Sequence, residues 1–162
     1  MGRLKREDSS LPTEGWSGWK RAMVPFLLKS GYRNLEDRSS NRPGYWCSNI
    51  DTAFDEYDCG IYEWQARGTR EWQPSRVVVY VGSTCRSKPG AIEDRIKEYC
   101  LTGSHKDRLI NRALENGYEL WVRAKSTDSR SRAEEEENKL LSRYNYAWNK
   151  RLNGNRTRNV LP

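Results

Sequence analysis

At 162 residues the chain is long enough for one domain with its own core. Charged residues make up 31% and the mean hydropathy is −1.02, yet 35% hydrophobic and 11% aromatic residues exclude wholesale disorder. The net charge of +7 points to an anionic partner, nucleic acid before a membrane surface, and no apolar run approaches the roughly 18 residues needed to span a bilayer.

The N-terminus, "MGRLKREDSS", lacks the apolar core of a signal peptide, so an intracellular chain is expected, nuclear if the source is eukaryotic. The first 58 residues read as an extension packed on the rest. Within it, Trp16, Trp19, Met23, Phe26 and Leu27 recur at helical spacing, which predicts an amphipathic helix ended or kinked at Pro25. Residues 36–58 read as a long connection with turn chemistry at Pro43-Gly44.

A tighter pattern begins at Cys59. Residues 60–67 alternate in part, and Val77 to Val81 form an unbroken β-branched and aromatic run, so an antiparallel hairpin is expected across the Gly68 to Pro74 connection. Ile92, Ile96 and Cys100 mark one face of a helix. A second helix is expected from an N-cap at Ser104 to a stop at Gly117, and Tyr118 to Lys125 alternates as a third strand. The last helix, from Ala133 towards Lys150, opens with Ser131 and Glu134 in a capping-box spacing. The order is β-β-α-α-β-α, a mixed α/β fold with a small three-stranded antiparallel sheet, here over 59–150. A basic tail follows over 151–162.

Cysteines 47, 59, 85 and 100 form no CxxC pair, so reduced, partly buried thiols are expected rather than a metal site or a disulfide. His105 is the only histidine, which removes any mechanism that needs two.

Two helical residues stand out. In the run Glu134 to Glu137, helical geometry at about 100° per residue puts Glu137 on the stripe of Leu140, Leu141 and Tyr144. Glu135 points the opposite way and Glu136 falls off the stripe. A carboxylate facing a core requires a partner, and a cation or divalent metal is the natural one. Arg95 borders the Ile92/Ile96 stripe with Tyr99 one turn on, a position suited to a phosphate clamp once Tyr62 and Tyr80 are counted beside it.

"GIY" at 60–62, "YVG" at 80–82, Arg95 on the following helix, Glu137 before a Leu-Leu pair and Asn149 twelve residues later resemble the GIY-YIG nuclease superfamily in order and spacing. That resemblance implies the same fold and a divalent-metal-dependent DNA endonuclease using Mg²⁺ or Mn²⁺. It implies Tyr62, Tyr80, Arg95, Tyr99, Glu137 and Asn149 as catalytic residues, with Glu137 the metal ligand and Tyr99 standing where many members carry histidine. Tyr62 would act as base if Arg95 and the metal lowered its phenol pKa, and Tyr80 would position the water. Gly82 and Ser83 would let the DNA backbone approach. Arg123, Lys125, Arg130 and Arg132, with Lys150, Arg151, Arg156 and Arg158 of the tail, are the expected DNA contacts. "LKRED", "RIKEYCLTGSH", "AEEEENKLL" and "YAWNKRLNG" further resemble the plant Effector of Transcription proteins. This second resemblance implies the alternative of a DNA-binding regulator with little or no catalysis, from a stand-alone relative or an excised domain.

Overall fold

The computed structural model describes residues 4–6, 14–25, 54, 56–86, 90–102, 106–149 and 161. Short strands β1 (Leu4–Lys5) and β2 (Lys20–Met23) precede the hairpin of β3 (Cys59–Gly68) and β4 (Val77–Cys85). Then come α1 (Ala91–Thr102), α2 (Asp107–Glu115), β5 (Tyr118–Ser126), α3 (Arg130–Arg143) and the two-residue β6 (Tyr144–Asn145). The main sheet is antiparallel with order β2-β5-β3-β4, and β1 pairs β6 in parallel. The mixed α/β fold class and the order of its elements agree with the sequence.

The sheet nevertheless has four strands rather than three. Where the spacing of Trp16, Trp19 and Met23 predicts a helix, the chain runs as β2 along the outer edge of β5. That edge carries unpaired backbone groups, and the segment satisfies them: the Ser17 amide donates to the Ala124 carbonyl at 2.8 Å, and the Ala124 amide donates to Ser17 Oγ at 3.0 Å. The two tryptophans share a target instead of a helical face. Trp16 and Trp19 lie 4.1 and 4.9 Å from the Arg123 guanidinium. Phe26, Leu27, Pro43 and Gly44 lie outside the described residues.

One face of the sheet packs Tyr62, Trp64, Ala66, Leu120 and Val122 against Ile92, Ile96 and Tyr99 of α1 and Ile110, Ala113 and Leu114 of α2. The other packs Val78 and Val81 against Leu141 of α3 and against Tyr144 and Tyr146. A register shift sits between these faces on the hairpin: Trp64 opposes Tyr80, but Gln65 opposes Val78, so Val79 is an extra residue. This bulge turns both Val79 and Tyr80 towards the α1 side, where strict alternation would send one of them to the α3 side.

Helix ends differ from expectation. Ser129, not Ser131, caps α3 by accepting from the Arg132 amide at 3.2 Å. The helix stops at Arg143, because Tyr144 turns extended (φ −125°, ψ 150°) to pair with β1. For α2, Lys106 holds the N-cap position without its side chain capping the helix, and Ser104 lies outside the described residues. Gly117 ends α2 as expected, at φ 91°, a left-handed conformation that favours glycine.

Cys59 and Cys85 are cross-strand partners and form a disulfide, against the expectation of free thiols. The hairpin register places their Cα atoms 4.1 Å apart, a proximity that a linear spacing of 26 does not reveal. Cys100 is a buried thiol outside this disulfide, and Cys47 lies outside the described residues.

Candidate active site

The GIY segment lies within β3 and YVG within β4, and antiparallel register brings Tyr62 opposite Gly82 and Trp64 opposite Tyr80. From α1, Tyr99 reaches the sheet surface one helical turn after Arg95. The three phenols meet: Tyr62 and Tyr99 hydroxyls are 3.1 Å apart, and the Tyr99 hydroxyl donates to Tyr80 at 3.4 Å. Arg95 Nη2 donates to the Tyr99 hydroxyl at 3.2 Å, with its guanidinium 4.5 Å from that ring. With its proton directed at Tyr80, Tyr99 is left to accept from Tyr62. Tyr99 is therefore the hub of the cluster, and it is fully buried.

Arg95 does not float free. Its Nη1 donates to Glu98 at 2.6 Å, and the other oxygen of Glu98 accepts from Arg86 at 2.7 Å. Burial works against the Glu98 charge, but Arg86 and Arg95 together hold its carboxyl below the usual range. This chain fixes the guanidinium at the edge of the tyrosines.

The phenol electrostatics bear on the role of Tyr62. Burial pushes Tyr62 well above the ordinary phenol value and the neighbouring Tyr80 adds to this, while Arg95 pulls only weakly the other way. Tyr80 and Tyr99 are raised for the same leading reason. Arg95 alone therefore does not make a phenolate of Tyr62.

Glu137 is half-buried and accepts from Ser83 Oγ on β4. Its charge also raises Tyr80, so the carboxylate lies within electrostatic reach of the phenol cluster. Glu135 is exposed, as the helical reading expected. Glu136 departs from that reading, being half-buried between Lys125 at 3.5 Å and Arg132 at 3.4 Å. Among the described residues no three ligating side chains gather into a metal cage. The donor set still suits Mg²⁺ or Mn²⁺, because Mg²⁺ is commonly held by one or two carboxylates with substrate phosphate and water completing its shell.

Asn149 does not join the phenols. Its amide accepts from the Val81 amide at 3.1 Å and donates to the Val81 carbonyl at 2.9 Å, imitating a strand partner. Trp148 extends the imitation, its amide donating to the Val79 carbonyl at 2.9 Å. Asn149 thus positions β4 on either side of Val81, where Tyr80 and Gly82 sit.

The glycines serve the protein rather than an approaching backbone. A Cβ on Gly82 would lie 2.5 Å from the Tyr62 hydroxyl, and one on Gly60 would strike the Lys125 carbonyl. Gly82 is the floor on which Tyr62 rests.

The expected DNA contacts separate. Arg123 is buried at 2% exposure, and its Nε donates to Glu63 at 2.9 Å. Glu63 also accepts from Arg6 at 3.0 Å and from the Tyr146 hydroxyl at 2.6 Å. A guanidinium so enclosed cannot meet a phosphate backbone. Lys125 pairs with Glu136, and Arg132 with both Glu135 and Glu136. Arg130 is exposed and donates to the Cys85 carbonyl at 2.6 Å. Lys150, Arg151, Arg156 and Arg158 lie outside the described residues.

Sequence reasoning missed Lys106. It is buried, its Nζ donates to the Trp148 carbonyl at 2.5 Å, and it stands 5.1 Å from the Tyr80 ring. Nothing in a polar helix start distinguishes this lysine from a solvated one. Glu98 was missed as well, although its place three residues after Arg95 on one helix is a spacing at which opposite charges pair.

A family model described as GIY-YIG domain-containing protein matches residues 29–161. No curated protein and no solved structure matches the chain.

Proposed function

The chain belongs to the GIY-YIG domain family, and from that membership we propose that it is a DNA endonuclease hydrolysing phosphodiester bonds with Mg²⁺ or Mn²⁺. The observation that carries this reading is the convergence of Tyr62, Tyr80 and Tyr99 on the Arg95 guanidinium, beside a sheet edge that also receives Glu137.

Phosphodiester hydrolysis needs charge neutralisation at the phosphoryl oxygens, an oriented water and a stabilised leaving group. Arg95, held by Glu98, offers a fixed donor to a non-bridging oxygen. The phenols, protonated at neutral pH, act as hydrogen-bonding groups that orient water and phosphate. Glu137 would hold the divalent cation, with Ser83 beside it. When bound, that cation would supply further neutralisation of phosphate charge. Arg130 and the tail residues Lys150, Arg151, Arg156 and Arg158 are proposed phosphate contacts. An enzyme with this substrate belongs where DNA is, the nucleus in a eukaryotic cell.

One observation favours a second reading, a DNA-binding regulator that keeps the fold without cleavage. The buried phenols hold their protons, and Arg95 is already paired with Glu98. Incubating supercoiled plasmid with the protein decides between them. Nicking that needs Mg²⁺ or Mn²⁺ and stops with chelator supports the enzyme. Retarded but intact plasmid with either metal supports the regulator.

A further inference from the structure

The β3–β4 connection ends in a built tip rather than a loose loop. The Gly68 amide donates to the Pro74 carbonyl at 3.0 Å, and the Gln73 amide to the Arg70 carbonyl at 3.0 Å. Gln73, nearly buried, accepts the Thr69 and Arg70 amides at 3.1 Å each and donates to the Asn116 carbonyl at 2.6 Å. Thr69 Oγ1 adds a bond of 2.5 Å to the Gly117 carbonyl. Every turn of the tip is thereby fastened to itself or to the end of α2.

What this frame presents is Trp72, 62% exposed and the only large hydrophobic residue so exposed among those described. An indole held in water by a rigid backbone has already lost much of the conformational freedom that binding would cost. Its surroundings carry a positive excess, Arg67, Arg70 and Arg76 against the exposed Glu71. Arg70 stands 5.7 Å from the Trp72 ring, and both Arg70 and Arg76 are exposed, with no ion pair to an acid among the described residues. Arg67 lies over the Trp121 ring at 3.7 Å. Burial first, and then the charge of Arg76, lower its hold on its proton, with Glu119 working the other way.

We propose that this tip is a second nucleic-acid contact, in which Trp72 stacks on an unpaired base while Arg70 and Arg76 bind the flanking phosphates. The ligand class is DNA with single-stranded character, because bases within an intact duplex already stack on one another and present no free π-face. A free aromatic face interleaved with arginines matches a base between two phosphates. An acidic protein partner would satisfy the charges but leaves the naked indole without a specific mate. Tyr62 and Gly68 are six residues apart on one strand, so the tip stands roughly 20 Å from the phenol cluster. DNA rising about 3.4 Å per base pair spans that gap in about six base pairs. The inference rests on the endonuclease reading and narrows it: the preferred substrate carries unpaired bases a short distance from the scissile phosphate.

The test is fluorescence anisotropy with labelled oligonucleotides in chelator, comparing a blunt duplex, the same duplex with a short gap, and a single strand. Wild type is expected to bind the gapped and single-stranded probes more tightly than the duplex. Trp72→Ala should lose about five- to a hundred-fold on those two probes, the range for one base–aromatic stack, with little change on the duplex. Trp72→Phe should keep most of the preference. Arg70→Ala with Arg76→Ala should weaken all three probes and flatten the salt dependence. Thermal melts of each variant check that the exposed substitutions leave the fold intact. Trp72→Ala binding every probe as wild type does overturns this inference alone and leaves the tip to a protein partner. Wild type that binds no probe overturns the endonuclease reading and this one together.

Discussion

Tyr62 and Gly82 face each other across the hairpin so closely that a Cβ on Gly82 would lie 2.5 Å from the Tyr62 hydroxyl and 2.6 Å from its Cζ. The ring is buried on both sides, with Tyr99 edge-on at 5.8 Å, so it has no room to yield. Gly82→Ala should therefore destabilise the fold by about 1–3 kcal/mol, the cost of overpacking, and should lower nicking more than stability. Urea unfolding and plasmid nicking on one preparation check both. An alanine variant with wild-type nicking would show that Tyr62 need not sit where it does.

Arg95 makes its bond to Tyr99 from the rim of α1 and is held there by Glu98. Removing one donor aimed at developing charge costs about 100-fold or more. Arg95→Ala should lose at least that in single-turnover cleavage while its melting curve stays cooperative. Glu98→Gln, which keeps the shape but weakens the tether, should lose only about ten-fold. If Arg95→Ala fails to fold, its role is structural and the phosphate clamp falls.

Glu137 and Glu135 share a helix but not an environment. Glu137 is half-buried against Ser83, whereas Glu135 is exposed and makes only surface ion pairs with Arg132 and Lys139. Such pairs contribute about 0–1 kcal/mol. Glu137→Gln should abolish metal-dependent nicking and remove Mn²⁺ binding measured by calorimetry. Glu135→Ala should match wild type in both. Equal nicking by the two variants would place the metal elsewhere.

Arg123 gives a contrasting test. It shares the buried Glu63 carboxylate with Arg6, so its loss strips that carboxylate of one of its two buried cationic partners. Breaking a buried pair costs about 3–5 kcal/mol. Arg123→Ala should show that loss in urea unfolding, and the fraction still folded should bind DNA with unchanged affinity. Weakened DNA binding at unchanged stability would return Arg123 to the nucleic-acid surface.

What the sequence made legible is local. Alternation and helical spacing placed β3, β4, α1 and β5, and the register of a hairpin then brings Tyr62, Tyr80 and Gly82 together almost unaided. Glu137 was separable from Glu135 because helix periodicity is a local rule. Apart from the α3 cap, the misses are tertiary. A helical spacing of Trp16, Trp19 and Met23 is equally met by residues wrapped around Arg123, and only the open edge of β5 decides for a strand. The bulge that aims Tyr80 arises within an unbroken valine run, where no residue marks it. Arg123 alternates as a solvent-facing residue would, and its burial depends on Glu63 and on Arg6, 57 residues before Glu63 in sequence.

The last prediction concerns the phenol protons. Tyr62, Tyr80, Tyr99, Tyr118 and Tyr146 are all raised above the ordinary value of 10.0, in each case first by burial. A phenol that holds its proton more tightly when folded contributes stability that is whole below the unfolded pKa. That stability is lost as pH rises past about 10 towards the folded value. Phenolate absorbance should therefore show these five of the nine tyrosines staying protonated above about pH 10, then ionising together as the near-ultraviolet circular dichroism collapses. The same protons bear on catalysis. If neutral Tyr62 orients water, cleavage by wild type should not climb with pH between about 7 and 9 in a way that Tyr62→Phe abolishes. Tyr62→Phe, which keeps the ring and loses one hydrogen bond, should cost about five-fold, or about 1 kcal/mol. A ten-fold rise per pH unit that vanishes in Tyr62→Phe would instead establish a phenolate base and show that bound substrate or metal overrides the burial.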